Sequence, residues 1–78
     1  MAQNDTSRMI RVIGIDPGLR HTGWGVLDTD GVRLAYVASG RISAPTDDPM
    51  AYRLRAIFEE LGSVIATYRP REAAVEET

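Results

Sequence analysis

The chain predicts an α/β fold built on one mixed sheet, in the order β-β-β-α-β, and three observations carry that prediction. The apolar run Ile10-Arg11-Val12-Ile13-Gly14-Ile15 is too short for an isolated helix and rich in β-branched residues, as a strand covered on both faces would be. Further on, Met50, Leu54, Ile57, Phe58, Leu61, Ile65 and Tyr68 recur at spacings of three and four, which marks an amphipathic helix. A short β-prone segment, Ala73-Ala74-Val75, then follows that helix. A strand, helix, strand connection closes right-handed, so this last strand should run parallel to the first.

Residues 1–8 are polar and are expected to form a disordered extension, which leaves 9–78 as the folded unit. Met9 to Ile15 is the expected central strand. Thr22 to Asp28 reads as the second strand, and Asp30-Gly31 is a turn signal leading into a third, Val32 to Ile42, so that the two form a hairpin. Alternation along the third strand places Val32, Leu34, Tyr36, Ala38 and Ile42 on one face, with Arg33, Ser39 and Arg41 opposite, where the arginines need only be solvated. After the loop 43–48, Asp48-Pro49 suits a helix start, with an N-cap acceptor and proline in the first turn. Gly62 weakens the helix by ~1 kcal/mol relative to alanine, which burial of the apolar stripe can outweigh. Arg69-Pro70 ends it, because a residue before proline avoids the helical region. The last strand is expected over Glu72 to Glu76.

At 78 residues the chain is one domain at most. A domain of that size buries only ~60–65% of the surface its unfolded form exposes, so marginal stability is expected. With no cysteine, neither a disulfide framework nor a thiolate metal site is available. No apolar run approaches the ~18 residues of a membrane span, and a cytoplasmic location is the expectation. The formal charge of −2 gives no footprint of avid nucleic-acid binding. All nine basic residues are arginine, which suits bidentate phosphate contacts but is explained more simply by genome base composition.

Asp16 ends the first apolar run and Pro17-Gly18 follows at once, so a carboxylate stands where a strand breaks into a turn. Ligand sites of α/β proteins gather at that end of their strands. Glu76 closes the last β-prone run. If the two strands are parallel neighbours, the strand spacing of roughly 4.8 Å brings both carboxylates within reach of one divalent ion, and Mg²⁺ favours such hard oxygen ligands. Taken singly, Asp16 also suits a turn bonding its own backbone, and Glu76 a solvated strand end. Glu77 competes with Glu76, but strand alternation turns the two to opposite faces. His21 has no second histidine or cysteine with which to make a transition-metal site, and a loop-surface role is expected. Trp24 suits core or edge packing. Gly14, Gly18, Gly23 and Gly25 permit tight turns and the close approach of a phosphate.

Taken in order, Gly14-Ile15-Asp16-Pro17-Gly18, then Thr22-Gly23-Trp24-Gly25-Val26, then the helix ending in Tyr68-Arg69-Pro70, then Ala74-Val75-Glu76, resemble the amino-terminal part of RuvC-type Holliday-junction resolvases, the crossover junction endodeoxyribonucleases. The resemblance runs from about Met9 to Thr78. It implies a ribonuclease-H-like fold and a homodimer that cuts four-way DNA junctions with Mg²⁺ held by acidic residues, beside a junction-recognition protein and a branch-migration helicase. It also implies that Asp16 and Glu76 are the catalytic metal ligands of the first and fourth strands. The remaining family acids, its dimer-forming helix and much of its DNA-contacting surface lie beyond the fourth strand. The chain is therefore expected to be a fragment carrying half an active site, inactive alone, with one sheet face exposed and prone to aggregate.

Two other readings fit parts of the sequence. Asp16-x-Gly18 with Gly23 also resembles the phosphate loop of actin-like ATPases and sugar kinases, although Pro17 cannot donate a backbone bond to phosphate. In a non-catalytic interaction module, Asp16 would only stabilise its turn.

Overall fold

In the computed structural model the described residues are 8–18, 20–44 and 47–76; the expected extension, apart from Arg8, lies outside them, as does Glu77. The strands are β1 (Ile10–Asp16), β2 (His21–Thr29), β3 (Leu34–Ser43) and β4 (Glu72–Val75), with helix α1 (Met50–Tyr68) between the last two. They form one sheet in the order β3-β2-β1-β4. Pairing of β1 with β2 and of β2 with β3 is antiparallel, and β4 runs parallel to β1, so β1 lies inside the sheet as its composition requires.

The β2–β3 turn is built by side chains. The Asp30 carboxylate accepts the backbone N–H groups of Val32 and Arg33 at 2.9 and 2.7 Å, and the Thr29 hydroxyl donates to the Arg33 carbonyl at 2.7 Å. Gly31 takes the left-handed backbone between them, at φ 98°.

One face of the sheet carries the core. Ile13 and Val26 are directly paired and fully buried, and Thr22, Ile42 and Ala44 are buried with them. Arg11 and Trp24 share that face by strand alternation. Both touch the end of α1: Arg11 Nη1 donates to the Tyr68 carbonyl at 3.3 Å, and the Trp24 and Tyr68 rings lie 5.9 Å apart. The helix therefore covers the Ile13 face. Val12, Gly14, Gly25 and Leu27 occupy the other, which no described element covers, the exposed face expected of a sequence that supplies a single helix.

Three expectations are corrected. A register shift between Val26 and Leu27 pairs Val26 with Ala38 but Leu27 with Tyr36, which leaves Val37 as an extra residue on β3. A bulge of this kind exchanges the faces of everything beyond it. Leu34 and Tyr36 thus lie on the uncovered face, opposite Ala38 and Ile42, and Tyr36 stands 75% exposed with its hydroxyl 3.1 Å from Ser39 Oγ. The apolar arc of α1 is also wider than its line of contact. Ile57, Leu61, Val64 and Tyr68 are half-buried, whereas Met50, Leu54, Phe58 and Ile65 form an exposed seam beside them. At the helix start, Pro49 rather than Asp48 is the cap residue; no side chain caps, and the Pro49 carbonyl accepts from the Tyr52 and Arg53 N–H groups. The helix ends where expected, but through a left-handed Arg69 at φ 52°, whose N–H bonds the Ile65 carbonyl at 2.7 Å.

Gly40 is paired with Trp24, and a Cβ placed on it would stand 2.7 Å from the indole Cζ2. Tyr68 packs against the indole on its helix side. Gly40→Ala is therefore expected to destabilise the fold by about 1–3 kcal/mol through overpacking. The chain's only tryptophan reports on this directly: its emission should shift along with a lowered urea midpoint, and an unchanged midpoint would contradict the close packing.

Arg11 and Asp28 are cross-strand partners joined by two bonds, Nε to Oδ1 at 2.8 Å and Nη2 to Oδ2 at 3.0 Å. The bond from Arg11 holds the Asp28 carboxyl below the ordinary carboxylate value, and the Arg33 and Val32 N–H groups do the same for Asp30. A carboxylate with a depressed folded value adds stability that is fully present above its unfolded value of about 4 and is lost as pH falls through the lower folded one. The urea midpoint should accordingly drop below about pH 4, and the drop should be shallower when Asp28 and Asp30 are both changed to asparagine. An equally steep drop in the double variant would discount these two groups.

Candidate metal centre at the sheet edge

Asp16 is the last residue of β1 and pairs with Gly23 of β2. Counting from Ile13, it falls on the uncovered face. On the other side of β1, Gly14 pairs with Ala74 and Ile15 with Val75, and the Glu76 N–H donates to the Ile15 carbonyl at 2.9 Å. Glu76 thus continues β4 into the row of Asp16, on the same face. Both acids line one open hollow of about 380 Å³, together with Gly14, Gly23, Gly25 and Ala74.

The two carboxylates singled out in the sequence are therefore brought together because β4 is a parallel neighbour of β1. Both are exposed, and neither has a hydrogen-bonding or ionic side-chain partner among the described residues. Small residues keep the space around them open. A Cβ on Gly23 would sit 3.9 Å from the Asp16 Cβ, in ordinary van der Waals contact, so glycine there leaves the space beside the acid open. Gly18, in the turn after Asp16, lies so close to the chain that a Cβ would be 2.5 Å from the His21 carbonyl oxygen. That glycine serves the turn.

Two carboxylates suit a hard, oxygen-seeking divalent ion, which keeps several waters and needs few protein ligands to begin a site. Among the described residues no third aspartate, glutamate, histidine or cysteine joins them. His21 is not on a loop: it opens β2 opposite Ser43, its Nδ1 2.7 Å from Ser43 Oγ. The row through Asp16 also ends in a residue that sequence reasoning left as a solvated surface group. Gly23 pairs with Arg41 of β3, so Glu76, Asp16, Gly23 and Arg41 cross the four strands in line. Register alone reveals this; no local pattern in the sequence carries it.

A mixed sheet of order β3-β2-β1-β4, with a helix on one face and the acids at the carboxyl end of β1, is the ribonuclease-H-like arrangement. The chain belongs to the RuvC family: residues 12–78 match the family model for crossover junction endodeoxyribonuclease RuvC. Curated relatives of that description include those of Bradyrhizobium diazoefficiens, 56% identical over 69 residues, and Azorhizobium caulinodans, 56% identical over 73. The alignments take in 88% and 94% of this chain but 39% and 43% of those proteins, so the chain spans about two fifths of their length.

Among solved structures, T. thermophilus RuvC in complex with Holliday junction substrate superposes with a TM-score of 0.79 at 30% identity, over 87% of this chain and 42% of that one. The Aquifex aeolicus PPX-GPPA enzyme, at 13% identity and a TM-score of 0.64 over 86% of this chain and 26% of that one, shares the fold alone. Membership of the RuvC family sets aside the phosphate-loop reading. No helix among the described residues is long and apolar enough to cross a membrane.

Proposed function

We propose that this chain carries the first half of the active site of a Mg²⁺-dependent endonuclease that resolves four-way DNA junctions in recombination and repair. The observation that supports it most is the placing of Asp16 and Glu76 on one face, in one row, at the rim of one hollow. Asp16 and Glu76 act as catalytic metal ligands, their carboxylate oxygens offering anionic donors from two adjacent strands. A bound Mg²⁺ would supply Lewis-acid activation of water and charge neutralisation at the scissile phosphate. The chain's own residues hold that geometry: β1 and β4 set the spacing of the acids, while Gly23 and Gly14 leave the floor bare so that a phosphodiester backbone can lie against it.

The chain spans two fifths of its relatives' length, and a two-metal phosphodiesterase site ordinarily draws on three or four acids. By itself it should bind the ion weakly and cut nothing. The complete nuclease would act in the cytoplasm as a homodimer, beside a junction-recognition protein and a branch-migration helicase.

The test uses Mn²⁺ as a paramagnetic stand-in for Mg²⁺, titrated into isotopically labelled chain. Resonance broadening should centre on residues 14–16, 23 and 74–76 and be reversed by excess Mg²⁺. Broadening centred on other acids would overturn the assignment of the site, and Mg²⁺-dependent nicking of a four-way junction by the chain alone would overturn its inactivity.

A further inference from the structure

Beyond the acids, the site row has a cationic end. Arg41 stands in line with Asp16, two strands away across Gly23, so its Cα lies roughly 10 Å from that of Asp16. Gly23 carries no side chain between them. Next to Arg41 on the same face, one pair nearer the sheet edge, come His21 and Ser43, and the 2.7 Å contact between Nδ1 and Oγ ties this imidazole to β3 and leaves Nε2 as its remaining polar atom. Arg41 is exposed and makes no ion pair or side-chain hydrogen bond among the described residues, unlike Arg11, Arg33 and Arg55, each of which faces a carboxylate.

An unpaired guanidinium at one end of a row, two carboxylates at the other and a bare glycine floor between them form a polarised track on a sheet face. From this we infer that Arg41, flanked by His21, is a positioning residue that holds a backbone phosphate of the DNA strand lying across Gly23 toward the Asp16–Glu76 hollow. The planar guanidinium offers paired N–H donors that match two phosphate oxygens. The acids repel a bare phosphate, so a cation two strands away supplies the attraction that keeps the strand in register before metal is bound. The inference rests on the junction-nuclease reading for the identity of the strand, but its contact with phosphate does not require the metal.

Binding of a fluorescein-labelled four-way junction to the 78-residue chain is measured by anisotropy in EDTA across a salt series. Arg41→Gln should weaken binding about 3- to 10-fold near 0.1 M salt and lower the slope of log K against log salt by about one. Arg55→Gln, the same charge change on α1, should leave the slope unaltered. Equal effects of the two variants would show a mere net-charge effect and overturn the inference. Titration of the wild-type chain with inorganic phosphate gives a second readout, in which the Arg41 Nε–Hε resonance should move and those of Arg11 and Arg55 should not. If neither junction nor phosphate perturbs Arg41, the inference fails. Loss of Mn²⁺ broadening at Asp16 and Glu76 with the Arg41 effects intact would count against the metal reading alone.

Discussion

Asp16→Asn is expected to weaken divalent-ion binding by roughly 100-fold or more, since loss of even an indirect supporting partner of a metal ligand costs 10- to 100-fold. The change keeps the shape of the side chain and removes its charge, and the exposed position leaves the fold undisturbed. Glu76→Gln should cost a comparable factor. Because the two oxygens serve one ion, the double variant should lose little more than either single one, which is the non-additivity of groups acting as a unit. Isothermal titration with Mn²⁺ checks this, with the urea midpoint as control for folding. Independent, fully additive losses would mean two separate surface carboxylates, and a wild-type affinity in Asp16→Asn would leave that residue as a turn former only.

The second large effect concerns the core. Ile13 is wholly buried at the centre of the sheet, directly opposite Val26. Ile13→Ala removes three carbons from that contact and should cost about 2–5 kcal/mol. A chain of this length has roughly 4–12 kcal/mol in total. The buried apolar residues among those described are only Ile13, Val26, Ile42 and Ala44, which puts it near the bottom of that range. The variant should therefore lose its cooperative transition near 37 °C or show a urea midpoint less than half that of the parent. Val32→Ala, at a position 90% exposed, should change stability by no more than ~0.5 kcal/mol. Similar losses for both substitutions would place the core elsewhere.

The exposed apolar groups shape how these experiments must be run. Leu34 and Tyr36 on the uncovered sheet face, and Phe58 on the outer seam of α1, are each about 70% exposed or more. Apolar surface of this extent drives self-association. Stability and binding should be measured as a function of chain concentration for that reason.

Much of the candidate site is legible in the sequence alone. Asp16 is conspicuous because an apolar run stops at a carboxylate followed by Pro-Gly, and Glu76 because a strand, helix, strand connection makes β4 parallel to β1, so that their carboxyl ends share one edge. Arg41 is not, since its place beside the acids depends on pairing across two ladders, and residues 16, 23 and 41 share no local pattern.

By itself the amino-acid sequence determined the order and kind of the elements, the turn at Asp30-Gly31, the inner place of β1 and the parallel entry of β4. Those features follow from local periodicity, turn chemistry and the chirality of the connection. Only the tertiary structure decided the bulge that sends Tyr36 and Ala38 to opposite faces, the share of the α1 stripe that reaches the sheet, and the link from Arg11 to both Asp28 and the Tyr68 carbonyl. Each of these depends on register or on a contact between residues far apart in the chain. A single inserted residue in a strand leaves the composition of its neighbourhood unchanged while reversing every face beyond it.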